Sequence, residues 1–351
     1  MPDFLHSRSG HCVRLRLLTG LALGALALLG ACQSRQAPAD APAAPPVGHY
    51  QGGLRPAGQP ELRAALDIRH PRPGHYEAEL NVPGAPALSF VADTILMAGQ
   101  QLRLVRPARP GQTLTLTLDG DFWRGTLAVD STQIPLILLR RGVPDPSTYR
   151  VQALPQVGGP AWLFAPTDTD TPGAALALLP DAATAPTAAI WADALAREGI
   201  IVLLLPAPAD PATASGEVLL LQTALQRLRA TAGADTASLG VWATGARATA
   251  LLPALAAAGG PRVAFLVAHN VALDAAVRAA IRSRKLPLLG LYGGANPIAA
   301  AAALRTVLAG RRGSVVHGYR GTGPDLLTPA TLGPKFGPGL PGEVVGWLHN
   351  R

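Results

Sequence analysis

The sequence contains few of the residues on which several large classes of protein depend. Of its 351 residues, two are cysteines, and aromatic residues make up 5% and charged residues 15%. Because Cys12 and Cys32 both lie near the N-terminus, the rest of the chain can form no disulfide. Lysine occurs only at Lys285 and Lys335. The scarcity of aromatic residues argues against a nucleic-acid surface, which needs basic residues interleaved with aromatic rings.

Known cofactor motifs are also missing from the sequence. It contains no phosphate-binding loop, no dinucleotide-binding fingerprint and no cluster of histidine, cysteine or carboxylate residues with metal-ligand spacing. We therefore expect neither a cofactor nor a metal.

The N-terminus has the pattern of an export signal. Arginines at positions 8, 14 and 16 precede an apolar run over residues 17–29, which is short for a membrane span. The run ends in Leu-Gly-Ala-Cys, with the cysteine at Cys32, as in the lipobox of bacterial lipoproteins. The pattern predicts a signal peptide over residues 1–31 and lipidation of Cys32, which would attach the protein to a membrane of the bacterial cell envelope. An ordinary signal peptide with a chance cysteine is the alternative.

A tether rich in proline and alanine is predicted over residues 32–47, and two folded regions follow it. Residues 48–142 have the period-two alternation of β-strands, most clearly over residues 112–119, and Asp119-Gly120 is typical of a hairpin turn. About seven short strands are expected, forming a small antiparallel barrel or sandwich.

Residues 150–351 have a different pattern, in which short apolar strands alternate with amphipathic or alanine-rich helices. Continuous apolar strands separated by helices are typical of a parallel sheet covered on both faces. We therefore predict the α/β class, with a doubly wound, mostly parallel sheet. Its ligand crevice should lie beyond the carboxyl ends of the strands.

Several short motifs within residues 48–351 occur together in one known group of proteins. They are GHYQGGL at Gly48–Leu54, IPLILLR at residues 134–140, WADALAREGI at residues 191–200 and FGPG at residues 336–339. In this combination the chain resembles bacterial secreted or lipid-anchored α/β-hydrolases that carry a β-rich domain before the hydrolase domain. The resemblance implies a sheet of the α/β-hydrolase type and, for an active member, ester or amide hydrolysis.

The catalytic positions of that family are degenerate in this chain. By resemblance, the nucleophilic serine falls on Gly245 and the catalytic acid on Asn296. The histidine base falls on Pro324, and the oxyanion loop carries Asp181, whose charge would repel a developing oxyanion. The family's helical cap is also missing, because only one helix fits between residues 271 and 285. The resemblance therefore predicts an uncapped, pseudoenzyme-like protein with Asp181, Gly245, His269 and Asn296 lining its crevice.

Thr244 and His269 are the weak candidates for a substitute catalytic group. Thr244 precedes the turn, and a hydroxyl that caps the next helix is the structural alternative. His269 ends a strand beside the expected crevice, and a histidine hydrogen-bonded at a strand end is the alternative there. Without an adjacent base, a threonine hydroxyl is a poor nucleophile.

The sequence leaves three functional hypotheses open. The favoured one is a non-catalytic protein that binds a small molecule or an envelope partner. The second is a residual hydrolase that uses Thr244 and His269, and the third is a structural surface protein whose β domain makes the contact. The basic cluster of Arg278, Arg282, Arg284 and Lys285 is interpreted as a solvated face, with contact to an anionic envelope polymer as the alternative.

Overall fold

The structure is a computed structural model that describes residues 44–106, 111–142, 148–156, 159–208, 213–328 and 335–350. Pro45–Arg351 forms one compact unit that contains two large sheets. Strand residues outnumber helical residues, 40% against 25%.

Nine antiparallel strands form the first sheet, which curls into a half-barrel. Its strands lie side by side in the order β4-β3-β2-β1-β9-β8-β7-β6-β5. Their bounds are β1 Gly48–Leu54, β2 Leu62–Arg72, β3 His75–Asn81, β4 Phe90–Val91, β5 Thr94–Ala98, β6 Gln101–Val105, β7 Gln112–Asp119, β8 Phe122–Val129 and β9 Thr132–Arg141. The alternating leucines of β7 lie on the inner face, and Asp119 pairs with Phe122 across the hairpin predicted from Asp119-Gly120.

Two meanders, β1–β4 and β5–β9, meet at the pairing of β1 with β9. This joint needs a glycine, because a Cβ atom on Gly52 would lie 1.9 Å from the carbonyl oxygen of Ile137. The inner face is filled by a buried apolar cluster that includes Tyr50, Leu66 and Trp123.

The second sheet has eight strands in the order β10-β11-β13-β12-β14-β15-β16-β17. Their bounds are β10 Tyr149–Leu154, β11 Ala161–Pro166, β12 Gly173–Leu179, β13 Ile201–Leu204, β14 Ala234–Thr244, β15 Phe265–His269, β16 Leu288–Tyr292 and β17 Val315–Gly318. The sheet is mixed: β10, β11 and β13 pair antiparallel, whereas the remaining neighbours pair parallel. A separate small pair joins β18 Leu327–Thr328 to β19 Lys335–Phe336.

Helices cover both faces of this mixed sheet. Their bounds are α1 Ala188–Arg197, α2 Ala214–Arg229, α3 Gly245–Ala256, α4 Ala275–Ser283, α5 Pro297–Val307 and α6 Gly342–His349. The apolar sides of α1 and α6 pack on one face, and those of α2 to α5 pack on the other. The start of α4 is fixed by Asp274, whose carboxylate accepts a hydrogen bond of 2.7 Å from the amide of Val277.

The predicted fold class is wrong. The chain is not a mostly parallel, doubly wound α/β-hydrolase sheet preceded by a small β domain; it is β-rich, with a nine-stranded half-barrel and a mixed sheet. Strands β10 and β11 were not predicted, and only six residues, 155–160, separate them. Such a short connection cannot cross over a sheet, so the two strands pair antiparallel.

Candidate functional site

The carboxyl ends of β12 and β14 bring Asp181 and Gly245 together. These strands are parallel neighbours in the sheet, and each leads directly into one of the two residues. Gly245 begins α3 with a φ of +48°, and a Cβ atom there would lie 1.9 Å from Oδ2 of Asp181. The carboxylate therefore occupies the space that a side chain at position 245 would need. A negative charge is favourable beside the first turn of a helix.

Hydrogen bonds hold Asp181 in place, so that its carboxylate keeps filling the space over Gly245. The Thr244 hydroxyl accepts a bond of 2.6 Å from the amide of Asp181 and lies 2.9 Å from the hydroxyl of Thr184. Thr184 in turn donates to Oδ1 of Asp181 at 2.8 Å. Thr244 is also buried and lies 3.3 Å from the carbonyl oxygen of Leu179. Its hydroxyl is therefore engaged in structural bonds, and no base lies among its hydrogen-bond partners in the described chain.

Arg247, in the first turn of α3, connects this cluster to the neighbouring loops through an ion pair and hydrogen bonds. Its guanidinium forms a buried ion pair with Glu217 of α2 at 3.0 Å, and it donates to the carbonyl oxygens of Pro180 and Pro206 at 3.1 and 3.0 Å. Burial lowers the pKa of Arg247, and the Glu217 carboxylate opposes that shift. The pair thus braces the loop that carries Asp181.

His269, at the end of β15, is buried beside Trp242. The indole Nε1 donates to Nδ1 of His269 at 3.4 Å. Burial lowers the pKa of His269 to about 4, and the Pro324 carbonyl together with the Asp181 and Asp325 carboxylates opposes this shift. The histidine is thus neutral at physiological pH and lies out of solvent.

Pro324 and Asn296, the predicted positions of the base and the acid, differ in their surroundings. The Pro324 carbonyl accepts a bond of 2.7 Å from the side chain of Asn270, whose Oδ1 accepts from the amide of Gly293 at 2.9 Å. Asn270 therefore links the carboxyl ends of β15 and β16 to the loop at Pro324. Asn296 is exposed at the start of α5, and its side chain caps no helix amide. The structure thus brings Asp181, Thr244 and Gly245 into one cluster and leaves Asn296 outside it.

A cleft between β1–β3 and α1 was not found by sequence reasoning. One cavity of about 760 Å³ lies over the outer face of these strands, where His49, Asp67 and Glu79 form one cross-strand row. A second cavity of about 450 Å³ lies beside it and is lined by apolar residues such as Ile190 and Phe336 together with four charged residues. Both volumes are in the range of small-molecule sites. The contacts join residues more than a hundred positions apart, so no local pattern could indicate them.

An ion-pair network that lines both cavities is centred on Asp193 of α1. Its carboxylate lies 3.2 Å from the guanidinium groups of both Arg63 and Arg197 and accepts a hydrogen bond from the hydroxyl of Tyr149. Burial raises the pKa of Asp193, and the Tyr149 hydrogen bond and Arg63 oppose the shift. Burial and the Asp193 charge also raise the pKa of Tyr149. We call this network, Arg63–Asp193–Arg197 with Tyr149, the clasp.

The 760 Å³ cavity also has polar groups that face no fixed partner. Nδ1 of His49 lies 2.7 Å from Asp67, whereas its Nε2 has no hydrogen-bond partner in the described chain. Gln51 and Asn81 supply amide groups in the same row of the sheet as the small residue Ala65. The cleft therefore offers donors and acceptors of both charges, which suits a polar ligand.

Within the described residues, no group of three or more histidine, cysteine, aspartate or glutamate side chains is placed to hold a metal ion. None of the helices in the described part of the chain combines the length and the apolar character needed to cross a bilayer. Cys32 and the predicted signal peptide lie outside the described residues.

No protein-family model matches the chain, and no curated protein is significantly similar to it. The resemblance to lipid-anchored α/β-hydrolases is therefore corrected: neither the β-rich fold nor the comparisons support that family, and nothing found supports a lipoprotein or a signal peptide. The short motifs that carried the resemblance lie in β1, in β9, in α1 with the turn after it, and in the segment before α6. Short patterns of this kind are common in the strands, helices and turns of unrelated folds, for the same physical reasons.

Proposed function

We propose that this protein binds a ligand or partner without catalysing a reaction, and that the cleft between β1–β3 and α1 is the binding site. The observation that carries the first part is the closed strand-end cluster. The carboxylate of Asp181 fills the space over Gly245, and the hydroxyl of Thr244 is held by backbone and Thr184 contacts. His269 is buried and neutral. A nucleophile next to a base, which acyl transfer requires, is not found there.

The cleft supports the second part of the proposal. It is open to solvent, has the volume of a ligand site, and is lined by apolar side chains and by polar groups of both charges. Its walls come from both sheets, so a bound ligand would contact β2 and α1 at once. The location at the cell envelope stays a prediction of the N-terminal sequence alone.

Hydrolysis of p-nitrophenyl esters by the purified full chain tests the absence of catalysis. We expect the rate to equal that of the heat-unfolded protein, and Thr244→Ala to leave it unchanged. A rate above this background that Thr244→Ala or His269→Gln abolishes would contradict the proposal and favour a residual hydrolase.

A fragment screen followed by NMR tests the position of the binding site. We expect binding fragments to shift the amide signals of β1, β2 and α1, and Arg197→Ala to weaken that binding by about tenfold, the effect of losing one charge-assisted contact. Arg103→Ala, an exposed change on the far strand β6, is the control. Fragments that instead perturb Gly245 and His269 would place the site at the strand ends.

A further inference from the structure

Basic side chains are concentrated at one edge of the mixed sheet. The loops that lead into the parallel neighbours β15, β16 and β17 lie side by side, because parallel strands begin at the same edge. These loops and the last turn of α4 carry six basic residues. We call them the basic rim: Arg262, Arg282, Arg284, Lys285, Arg311 and Arg312.

Two of the six arginines and lysines have structural contacts. The Arg284 guanidinium donates to the carbonyl oxygen of Pro261 at 3.4 Å, and Arg311 donates to the carbonyl of Ile281 in the last turns of α4. Both are half-buried and hold one loop against the next. They explain how the three loops stay together, and they leave four cations without such a role.

The other four, Arg262, Arg282, Lys285 and Arg312, are exposed. None of the six rim residues forms an ion pair with a carboxylate in the part of the chain that the structure describes. Asp274 lies at the other end of α4, where it caps the helix. Asp235, at the start of the neighbouring β14, borders the rim and hydrogen-bonds Ser238.

Adjacent strands are about 4.8 Å apart, so three strand starts place these charges within roughly 10–20 Å of one another. Neighbouring strand starts lie within one Debye length, which is about 8 Å at physiological salt, so the fields of charges on adjacent loops overlap. Such a patch is expected to attract a surface with many negative charges.

We propose that the basic rim docks the protein on an anionic lipid surface through its headgroup phosphates. The rim consists of loop ends and the end of one short helix, and no helix or hairpin projects from it that could enter a nucleic-acid groove. Its exposed residues include no aromatic side chain on which bases could stack. A row of cations along the edge of a sheet suits an extended anionic surface.

This docking surface is independent of the cleft and of the strand-end cluster. The rim lies at the edge where the parallel strands begin, whereas Gly245 and His269 lie where they end. A failure of either proposal leaves the other standing.

Vesicle sedimentation of the full chain tests the rim. Vesicles of phosphatidylcholine alone are compared with vesicles that also contain phosphatidylglycerol, at low and high salt. Because each basic residue near an anionic surface contributes a factor of about five, the four exposed ones predict a preference of about six hundredfold for the anionic vesicles. High salt should remove it. Arginines 8, 14 and 16 beside the apolar run at residues 17–29 would also favour anionic vesicles, but they are the same in every variant, so the comparison between variants isolates the rim.

The triple variant Arg262→Glu/Lys285→Glu/Arg312→Glu should lose the preference. The control is Arg72→Glu/Arg103→Glu/Arg141→Glu, which makes the same change in net charge at exposed positions of the nine-stranded sheet and should keep most of it. If the charge reversal unfolds the chain, as judged by circular dichroism, the milder Arg262→Gln/Lys285→Gln/Arg312→Gln replaces it. Equal loss in both triple variants, or no preference in the wild type, would overturn the proposal. Tighter binding to duplex DNA than to anionic vesicles, lost in the rim variant, would overturn it in favour of nucleic acid.

Discussion

Two arginine–carboxylate pairs, one in the strand-end cluster and one in the cleft, have similar distances and very different surroundings. In the pair of Arg247 with Glu217, the side chains are 1% and 5% exposed, and the distance is 3.0 Å. In the pair of Arg63 with Asp193, they are 51% and 17% exposed at 3.2 Å. The first pair is an internal brace that fixes loops. In the second pair the Arg63 side chain is exposed to solvent, so the pair can break and form again when a ligand enters the cleft.

The largest expected effect comes from breaking the buried pair. Glu217→Ala leaves the Arg247 charge buried without its partner, which should lower the free energy of unfolding by about 3–5 kcal/mol. Urea unfolding followed by circular dichroism measures this loss. Glu61→Ala, which breaks the exposed pair with Arg55, is the control and should cost less than about 1 kcal/mol. Equal costs for the two variants would mean that the buried pair stabilises the fold no more than an exposed ion pair does.

A pH titration of stability tests the closure around His269. Its pKa is about 4 in the folded protein and 6.5 in the unfolded chain, so the unfolded chain takes up the proton first as the pH falls. Neutral His269 makes its full contribution to the free energy of unfolding above pH 6.5. About 2–3 kcal/mol of this contribution is lost as the pH falls toward 4. In His269→Gln this part of the pH dependence should disappear, whereas His75→Gln, at an exposed position, should keep it. An unchanged slope in His269→Gln would mean that the residue is open to solvent.

Gly245→Ser tests how tightly Asp181 closes the strand end. The new side chain must adopt a positive φ and displace the carboxylate, so we expect a loss of about 1–3 kcal/mol in unfolding free energy. The double variant Gly245→Ser/Asp181→Ala should recover part of that loss, because the collision is gone. Ester hydrolysis should stay at background in both variants. A stable Gly245→Ser protein that hydrolyses esters would show that the strand end is an open catalytic site.

The smallest expected effect is that of opening the clasp. Arg63→Ala removes a half-exposed cation, and the free energy of unfolding should change by less than about 1 kcal/mol. Fragment binding in the cleft should change more than stability does, and Arg103→Ala should change neither. A loss of several kcal/mol would mean that the Arg63–Asp193 pair is a structural brace as well.

Local patterns in the sequence predict individual elements well. Strict alternation over β7 and the Asp119-Gly120 turn are enough to define a hairpin, because both signals depend only on neighbouring residues. The fold class failed because it depends on pairing between distant strands. An apolar strand has the same composition whether it pairs parallel or antiparallel, and the short link between β10 and β11 was not recognised.

The candidate site divides in the same way. Asp181 and Gly245 were grouped by the resemblance, and they do lie together because both follow apolar strands whose carboxyl ends share an edge. The closing contact between them could not be predicted, because it depends on the hydrogen bonds that hold the Asp181 loop. The clasp could not be predicted from the sequence, because Arg63 lies in β2 of the half-barrel and Asp193 lies in α1, 130 positions later. Asn296 was grouped with the site on resemblance alone, and the structure leaves it at the surface.

The order of strands in the half-barrel also affects how the chain can be assembled. His49 pairs with Arg141, so the first strand of the sheet finds its second neighbour only when the last strand is present. Long sequence separation between contacting residues slows folding. During synthesis, one side of β1 therefore remains an unpaired edge until β9 has left the ribosome, and such edges are where chains aggregate. The first and last strands of the half-barrel, β1 and β9, are neighbours at the centre of the sheet. A rearranged half-barrel in which the end of β9 is linked to the start of β1, and the chain is opened between β4 and β5, would replace that late pairing with a local one.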